Sequence, residues 1–398
     1  DAYQENTYNG ALEADNRTVG RNAYLTDEKS KSFVIDNQLS GYVKTGDFEH
    51  NLLFGLDYQY LDSDVKYKDT LGYSLTQDIF NPDHNSIDRN ALNFQYKQNL
   101  DIKTKQIGVY LQDQVRYDQL VMIAGLRWDK YDSNTDAVSD YLGTISNSKE
   151  ELDDTNVSFR VGGLYELDFG LSPYLTYSES FEPIAGADAT GKAFEPSTGH
   201  QWELGFKYAP LSGDISGNLA FFHITKKNAI LTDPNNPYAP NYQAGEVVSQ
   251  GVELEAKWQA TAQADFTLGY TYTDMEITED SYYNQEGKTP VWVPEQTASL
   301  WANYFFEGNL SGLRTSAGVR YVGEAQIDAQ NSQKVPDYTL FDLAASYDFS
   351  TVSESMKGAS VTLSASNLFD KEYYSCYDKN NCWFGAERSI EAKLEYNF

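Results

Sequence analysis

Long apolar runs are missing from this chain. The longest obvious one, residues 120–126, has seven residues and includes Gly125, far short of the roughly 20 that carry a helix across a bilayer. A helical membrane protein is therefore excluded. Histidine is scarce as well: His50, His84, His200 and His223 are the only four, and none has a second His or Cys at ligand spacing, so no zinc or other metal site is expected. Cations are outnumbered, with 30 Lys and Arg against 59 Asp and Glu and a formal charge of −29, which argues against nucleic acid as a partner because its phosphates call for Lys and Arg. No Pro-rich, Ser-rich or charge-run linker divides the 398 residues, so the chain reads as one continuous β-domain although its length would ordinarily suggest two or three. The opening Asp-Ala-Tyr-Gln-Glu-Asn lacks the basic and apolar regions of an export signal, so such a signal is expected to have been removed or to lie upstream.

What the chain does have is many aromatic residues, and apolar residues in strict alternation with polar ones. It carries 31 Tyr, 20 Phe and 6 Trp on a mean hydropathy of −0.57, a combination that suits the interfacial girdles of a transmembrane barrel. At the C-terminus Ile390, Ala392, Leu394, Tyr396 and Phe398 share one face, and Ser389, Glu391, Lys393, Glu395 and Asn397 the other. Because side chains alternate across a strand, such a segment fits a wall with lipid on one side and a polar lumen on the other. The pattern repeats in Val252, Leu254, Ala256 and Trp258, and in Val361, Leu363 and Ala365, and the whole chain predicts about 15 or 16 strands. The expected fold is an all-β, antiparallel outer-membrane barrel.

Connection lengths sort in the way such a barrel requires. With the last strand ending in the periplasm, the connections on that side are brief, at 46–47, 118–119, 168–170, 210–214 and 307–312. Those on the outer side are long, at 62–104, 132–154, 182–199, 227–247, 276–296, 323–337 and 367–387. A soluble sandwich has no reason to segregate loop length. The outer loops are acidic, as at Asp132, Asp136, Asp140, Glu150, Glu151, Asp153 and Asp154, which reads as a solvated, mutually repelling surface.

Catalytic signatures are sparse. Gly287-Lys288-Thr289 looks like the end of a phosphate loop, but Tyr282 stands where its first Gly belongs. Asp83-His84 on the longest outer loop reads as a solvated turn after Asn81-Pro82, with a hydrolytic dyad as the minor alternative its residue types allow. The only two cysteines, Cys376 and Cys382, are close enough to form a small disulfide ring in an exported protein, or to remain inert thiols. As a ring they would contribute about 2 kcal/mol in the chain-entropy account.

A group of motifs is more specific. Asn367-Leu368-Phe369-Asp370-Lys371-Glu372-Tyr373, then Cys376 and Cys382-Trp383-Phe384-Gly385-Ala386-Glu387-Arg388, resembles the C-terminus of TonB-dependent siderophore receptors, in particular their ferrichrome-type, hydroxamate branch. Tyr110-Leu111-Gln112-Asp113-Gln114, Gly251-Val252-Glu253-Leu254-Glu255 and residues 174–183 and 335–342 extend the likeness over nearly the whole chain. The resemblance implies a plugged barrel of about 22 strands, of which residues 1–398 would be the C-terminal part, without plug or first strands. It also implies a non-enzymatic receptor and transporter for ferric siderophores; the alternative readings of the chain are a passive outer-membrane channel and, behind it, a barrel-scaffolded surface hydrolase. Its partners would be the ferric siderophore, the TonB-ExbB-ExbD complex acting through the plug, and outer-membrane lipid and lipopolysaccharide. Iron would enter only as part of the ligand, with no resident cofactor. An aromatic just after the first cysteine touches ligand in the family, which points to Tyr377. Trp383 and Phe384 are its neighbours across the ring, and Tyr3, Tyr8 and Phe80 are further candidates. Arg127, Arg160, Arg314 and Arg320 fall on the face read as lumenal.

Overall fold

The computed structural model describes all residues except 73–74, 84–87, 185–193, 232, 235–241, 244, 281, 380 and 398, together with the side chains of 7–9 and 11. Among the described residues the regular structure is strand, with four single 3-10 turns. In chain order the strands are β1 (Ala2–Leu12), β2 (Thr18–Thr45), β3 (Phe48–Asp69), β4 (Leu75–Asp78), β5 (Tyr96–Tyr117), β6 (Leu120–Tyr141), β7 (Thr144–Tyr165) and β8 (Leu171–Glu182). There follow β9 (Ser197–Tyr208), β10 (Ile215–Lys227), β11 (Ile230–Leu231), β12 (Tyr242–Gln243), β13 (Glu246–Gln259), β14 (Ala264–Glu279), β15 (Gln296–Phe305) and β16 (Leu313–Val322). The last are β17 (Ala325–Gln326), β18 (Lys334–Val335), β19 (Tyr338–Asp348), β20 (Ala359–Ser366), β21 (Tyr374–Asp378), β22 (Asn381–Phe384) and β23 (Ser389–Tyr396). The final strand is thus as expected up to Tyr396; Asn397 falls beyond it, and Phe398 lies outside the described residues.

The residues form two compact units. The first comprises Asp1–Ser40, Leu53–Leu111 and Leu126–Val157. In it β1 runs antiparallel to β2, from Ala2 opposite Glu28 to Leu12 opposite Val19, and β4 pairs with Thr18 to Arg21 of β2. The second unit comprises Gly41–Leu52, Gln112–Gly125 and Ser158–Phe398. Its strands form a meander of antiparallel neighbours, β7 to β8, β9, β10, β13, β14, β15, β16, β19, β20 and β23. Only hairpin-like connections are needed for such an order, which is why consecutive strands with short turns suffice.

Burial is inverted relative to a soluble protein. On β3 Leu52, Phe54 and Leu56 are exposed while Asp57 is 7% exposed; on β6 Leu126 and Trp128 are exposed while Asp129 is 3% exposed. On β19 Phe341 and Leu343 face outward and Asp342 is buried. Apolar side chains on the open face and carboxylates on the covered one are what a strand between lipid and a polar interior requires.

Two covered carboxylates of the first unit, Asp57 and Asp129, are neutralised by one arginine. Arg127 donates from Nη1 to Asp57 Oδ2 at 2.7 Å and from Nη2 to Asp57 Oδ1 at 3.1 Å. It also donates from Nε to Asp129 Oδ2 at 2.8 Å and from Nη2 to Asp129 Oδ1 at 2.7 Å. Its guanidinium lies 5.5 Å from the centre of the Tyr110 ring, whose hydroxyl donates to Asp36 at 3.0 Å. Two glycines make room: a Cβ at Gly108 would overlap Arg127, and one at Gly55 would overlap Tyr110.

Turns on the short side match the predicted ones, at 46–47, 118–119, 166–170, 209–214 and 306–312 between strand ends. On the other side one expectation is corrected. Residues 132–154 are not a loop: β6 continues to Tyr141 and β7 begins at Thr144, leaving a two-residue turn. Leu142 and Gly143 both have positive φ, 53° and 87°, the pattern of a type I′ hairpin. Its signal is hidden because Leu takes the place usually held by Asn or Asp, and because the acidic alternation of 132–154 looked like a solvated loop. The same extension shortens the 62–104 connection to residues 70–95 around β4.

Replacing Arg127 with Met would leave Asp57 and Asp129 covered and uncompensated. The expected cost is about 3 kcal/mol, seen as a lower temperature for loss of the compact, fast-migrating form on detergent gels. An unchanged midpoint would contradict the role given to this cluster.

Candidate ligand-binding site

The last long connection, 367–388, is anchored at its base by a chain of polar contacts that starts in the wall. On β16 Arg320 donates from Nε to Asp342 Oδ2 at 2.6 Å and from Nη2 to Asp342 Oδ1 at 3.0 Å. Asp342 in turn accepts the Asn367 backbone N–H at 3.0 Å. The buried Asn367 side chain then spans the loop, donating from Nδ2 to the carbonyls of Lys371 at 2.9 Å and Ala386 at 3.1 Å and accepting the Lys371 N–H at 2.8 Å. Asp370 accepts the Arg388 N–H at 2.8 Å. Asn367 and Asp370 both sit at left-handed φ, 50° and 54°, which Asn and Asp tolerate best among residues with a side chain. The Asn-Leu-Phe-Asp motif is thus a clamp that joins the two ends of the loop.

Above the clamp, β21 and β22 pair as a small hairpin with Cys376 opposite Cys382, and the two form a disulfide with their Cα atoms 4.0 Å apart. The ring reading of the two cysteines therefore holds over the inert-thiol one. Gly385 donates its N–H to the Tyr373 carbonyl at 2.8 Å, and a Cβ on Gly385 would overlap the Tyr373 ring.

Trp292 packs against this hairpin. Its ring centre is 5.5 Å from that of Tyr377 and 6.1 Å from that of Trp383. Trp292 has a φ of +65°, a left-handed conformation uncommon for a bulky residue and typical of functional turns. Together with Tyr377 it lines a cavity of about 240 Å³, whose other walls include the apolar Ile230, Leu231 and Pro290 and the polar Asp233, Asp328, Asp378 and Gln285. The character is that of a small-molecule site: apolar and aromatic walls with a few polar groups.

A carboxylate-centred turn supports the far wall. Buried Asp280 accepts N–H bonds from Tyr282 at 2.9 Å and Gln285 at 2.9 Å, and the Tyr242 hydroxyl at 3.3 Å. Gln285 Nε2 also donates to the Tyr242 hydroxyl. Burial, then the neighbouring Asp280 charge, push the Tyr242 phenol well above the ordinary tyrosine range.

The candidates from the sequence fall into distinct places. Tyr377 and Trp383 meet on Trp292, whereas Phe384 is 80% exposed and packs edge-on against Tyr374, at 6.4 Å. Tyr3 and Phe80 belong to the first unit. Tyr3 is exposed on β1 and donates to Glu5 at 2.7 Å. Phe80 is exposed after β4, its N–H donating to Asp78 at 2.9 Å. Tyr8 is on β1, its side chain outside the described residues, as is His84, on which the hydrolase reading rested. Arg127 and Arg320 are tied to Asp57, Asp129 and Asp342 as above, and Arg314 lies 5.1 Å from the Phe305 ring centre. Sequence reasoning missed Trp292. Its signal was a Trp held between Pro290 and Pro294 in a long loop, where a rigid turn displays an aromatic.

Two outcomes follow. Asn367→Ala opens the clamp, so limited proteolysis should cut within 367–388 much faster while the wall keeps its melting midpoint; uncut loops would refute the clamp. For Tyr242 the raised pKa means its stabilisation is complete below the ordinary value near 10 and is lost as pH rises through the raised value. Amide protection at Tyr282 and Gln285 should therefore hold between about pH 6 and about pH 9 after correction for intrinsic exchange, and a fall within that range would contradict it.

Comparison with known proteins places these features in a family. The profile described as "TonB dependent receptor-like, beta-barrel" matches residues 1–368. The chain is 37% identical over 388 residues to the ferrichrome outer membrane transporter/phage receptor of Escherichia coli (strain K12), covering 96% of this chain and 50% of that protein. It is 37% identical over 375 residues to the ferrioxamine B receptor of Salmonella typhimurium (strain SL1344), covering 93% and 51%. It thus spans about half the length of the curated relatives it matches. The crystal structure of the ferric-catecholate import receptor Fiu from E. coli K12 shares the fold, with a TM-score of 0.78 at 19% identity over 99% of this chain and 58% of that one. The chain belongs to the TonB-dependent receptor β-barrel family of the Gram-negative outer membrane.

Proposed function

We propose that this chain forms the wall and outer binding surface of a receptor that takes up ferric siderophores, of the hydroxamate type, with energy from the TonB-ExbB-ExbD complex. In this reading residues 1–398 serve as the C-terminal part of the barrel, energy reaches the site through a plug, and the outward apolar face meets outer-membrane lipid and lipopolysaccharide. The observation that carries the reading is the cavity lined by Trp292 and Tyr377 on the disulfide hairpin, in a chain 37% identical to a ferrichrome transporter and a ferrioxamine B receptor.

The chemistry asked of the site is recognition. Iron arrives already wrapped by the siderophore, so the protein needs no metal ligands and no cofactor, and no bond is made or broken by it. Trihydroxamate complexes present a compact, largely apolar rim. Flat aromatic faces with polar tips cover such a rim with little loss of side-chain freedom. Tyr377, held by the Cys376–Cys382 ring and by Trp292, is preorganised for that contact, and less ordering is then required on binding. Trp383 supports Trp292. Phe384 stands as a further outer contact, and Tyr3, Tyr8 and Phe80 of the first unit are candidate ligand contacts in their own right.

The test is a titration of the purified protein in detergent with ferric ferrichrome and ferric ferrioxamine B, followed by tryptophan fluorescence. Saturable quenching is expected, and Tyr377→Ala or Trp292→Ala should each weaken binding by roughly 10- to 100-fold, about 1.4–2.8 kcal/mol. No saturable binding of either complex would overturn the siderophore reading, and unchanged affinity in both variants would remove the site.

A further inference from the structure

Trp292 borders a second cavity as well. This one, about 290 Å³, is lined by Trp292, Pro294, Val322, Ala325, Val335 and Pro336, with Tyr338, Tyr374 and Cys376 among its other walls. The hairpin strand β21 is shared between the two: Tyr377 and Asp378 face the first cavity, and Tyr374, Ser375 and Cys376 the second. Their chemistry differs sharply. Three aspartates line the first, whereas none of the described residues lining the second is Asp, Glu, Lys, Arg or His. In a chain of formal charge −29, this compartment is uncharged and mainly apolar. Its limit is equally sharp. Beyond Gly323 the surface turns acidic again at Glu295, Glu324 and Asp337, with Lys334 bridging Glu295 at 3.6 Å and Glu324 at 3.2 Å.

We propose that the second cavity is a subsite for an apolar substituent, an acyl or aryl arm, of the ligand whose iron-bearing part rests against the mouth of the first. The inference rests on the siderophore reading given above. The occupant is argued from continuity: both cavities use the Trp292 indole and one strand of the same disulfide-closed hairpin, so an arm leaving the first meets the second across a single side chain. Gln326 and Ser375 are also in its lining, but a charged arm entering it would lose water without gaining a charged partner, whereas each methylene buried there is favourable. Val335, 5% exposed, and Val322 supply that apolar surface. Pro294 and Pro336 fix the backbone of two walls, so the compartment is largely formed before ligand arrives.

The test uses two ferric trihydroxamates, the N-acetyl and N-octanoyl derivatives of ferrioxamine B, both neutral and differing only in chain length. Wild-type protein is expected to bind the octanoyl form about tenfold or more tightly than the acetyl form. Ala325→Trp fills the cavity and should bring the two affinities to within about twofold of each other. The ratio is read inside one variant, so a general loss of affinity does not imitate it. Should that variant fail to fold on detergent gels, Val335→Thr keeps the shape, adds a hydroxyl, and should lower the ratio about threefold. Equal binding of the two forms by wild type, or a tenfold ratio that survives Ala325→Trp, overturns the subsite and leaves the siderophore reading standing. Binding of neither form by wild type overturns both.

Discussion

Backbone hydrogen bonding in a medium without water is the constraint on which this molecule depends. Each peptide N–H and C=O at membrane depth needs a partner, and a meander of antiparallel strands supplies one from each neighbour. Side chains are then left to alternate, and the alternation sorts them by solvent. Phe54, Trp128 and Leu343 stand on one face, Asp57, Asp129 and Asp342 on the other. Covered carboxylates on the second face require cations close by, which Arg127 and Arg320 provide. The two charge clusters follow from the strand geometry rather than from any demand of ligand chemistry.

Acidity in the loops has a related explanation. A loop has no ladder, and its backbone N–H groups still need acceptors. Carboxylates supply them at several connections: Asp280 for Tyr282 and Gln285, Asp370 for Arg388, Asp328 for Ser332, and Asp15 for Arg17 and Thr18. The Thr18 hydroxyl and these amides hold the Asp15 carboxyl down at about 2. Part of the excess of acid over base is therefore turn architecture. It shapes long outer loops firmly enough for Trp292 and Tyr377 to meet at a fixed place.

The wall was legible in the sequence because period-two alternation is a local signal repeated in strand after strand, with the final strand at 389–396 the clearest case. Loop length sorted the connections into short and long ones, except at 132–154, which is strand on both sides of a two-residue turn. The hairpin at 141–144 was not legible, since its turn depends on a Leu in a left-handed conformation that no residue-type rule favours. The site was half legible. Tyr377 and the cysteine ring could be placed through resemblance, but Trp292 is brought to them from 85 positions upstream by contacts between loops, and nothing in local pattern encodes that meeting. The same limit applied to Asn367, whose motif was recognised while its work as a clamp between Lys371 and Ala386 was not.

The most direct test of the inverted wall is a nitroxide scan along β19, Tyr338–Asp348, in protein reconstituted into lipid bilayers. Labels at Phe341, Leu343 and Ala345 should be reached by oxygen dissolved in the bilayer and shielded from a water-soluble nickel chelate, with the opposite preference at Asp342, Ala344 and Ser346. Accessibility that alternates with period two in this sense is what the account predicts. Equal access of the chelate to both faces, or alternation in the reverse sense, would contradict it.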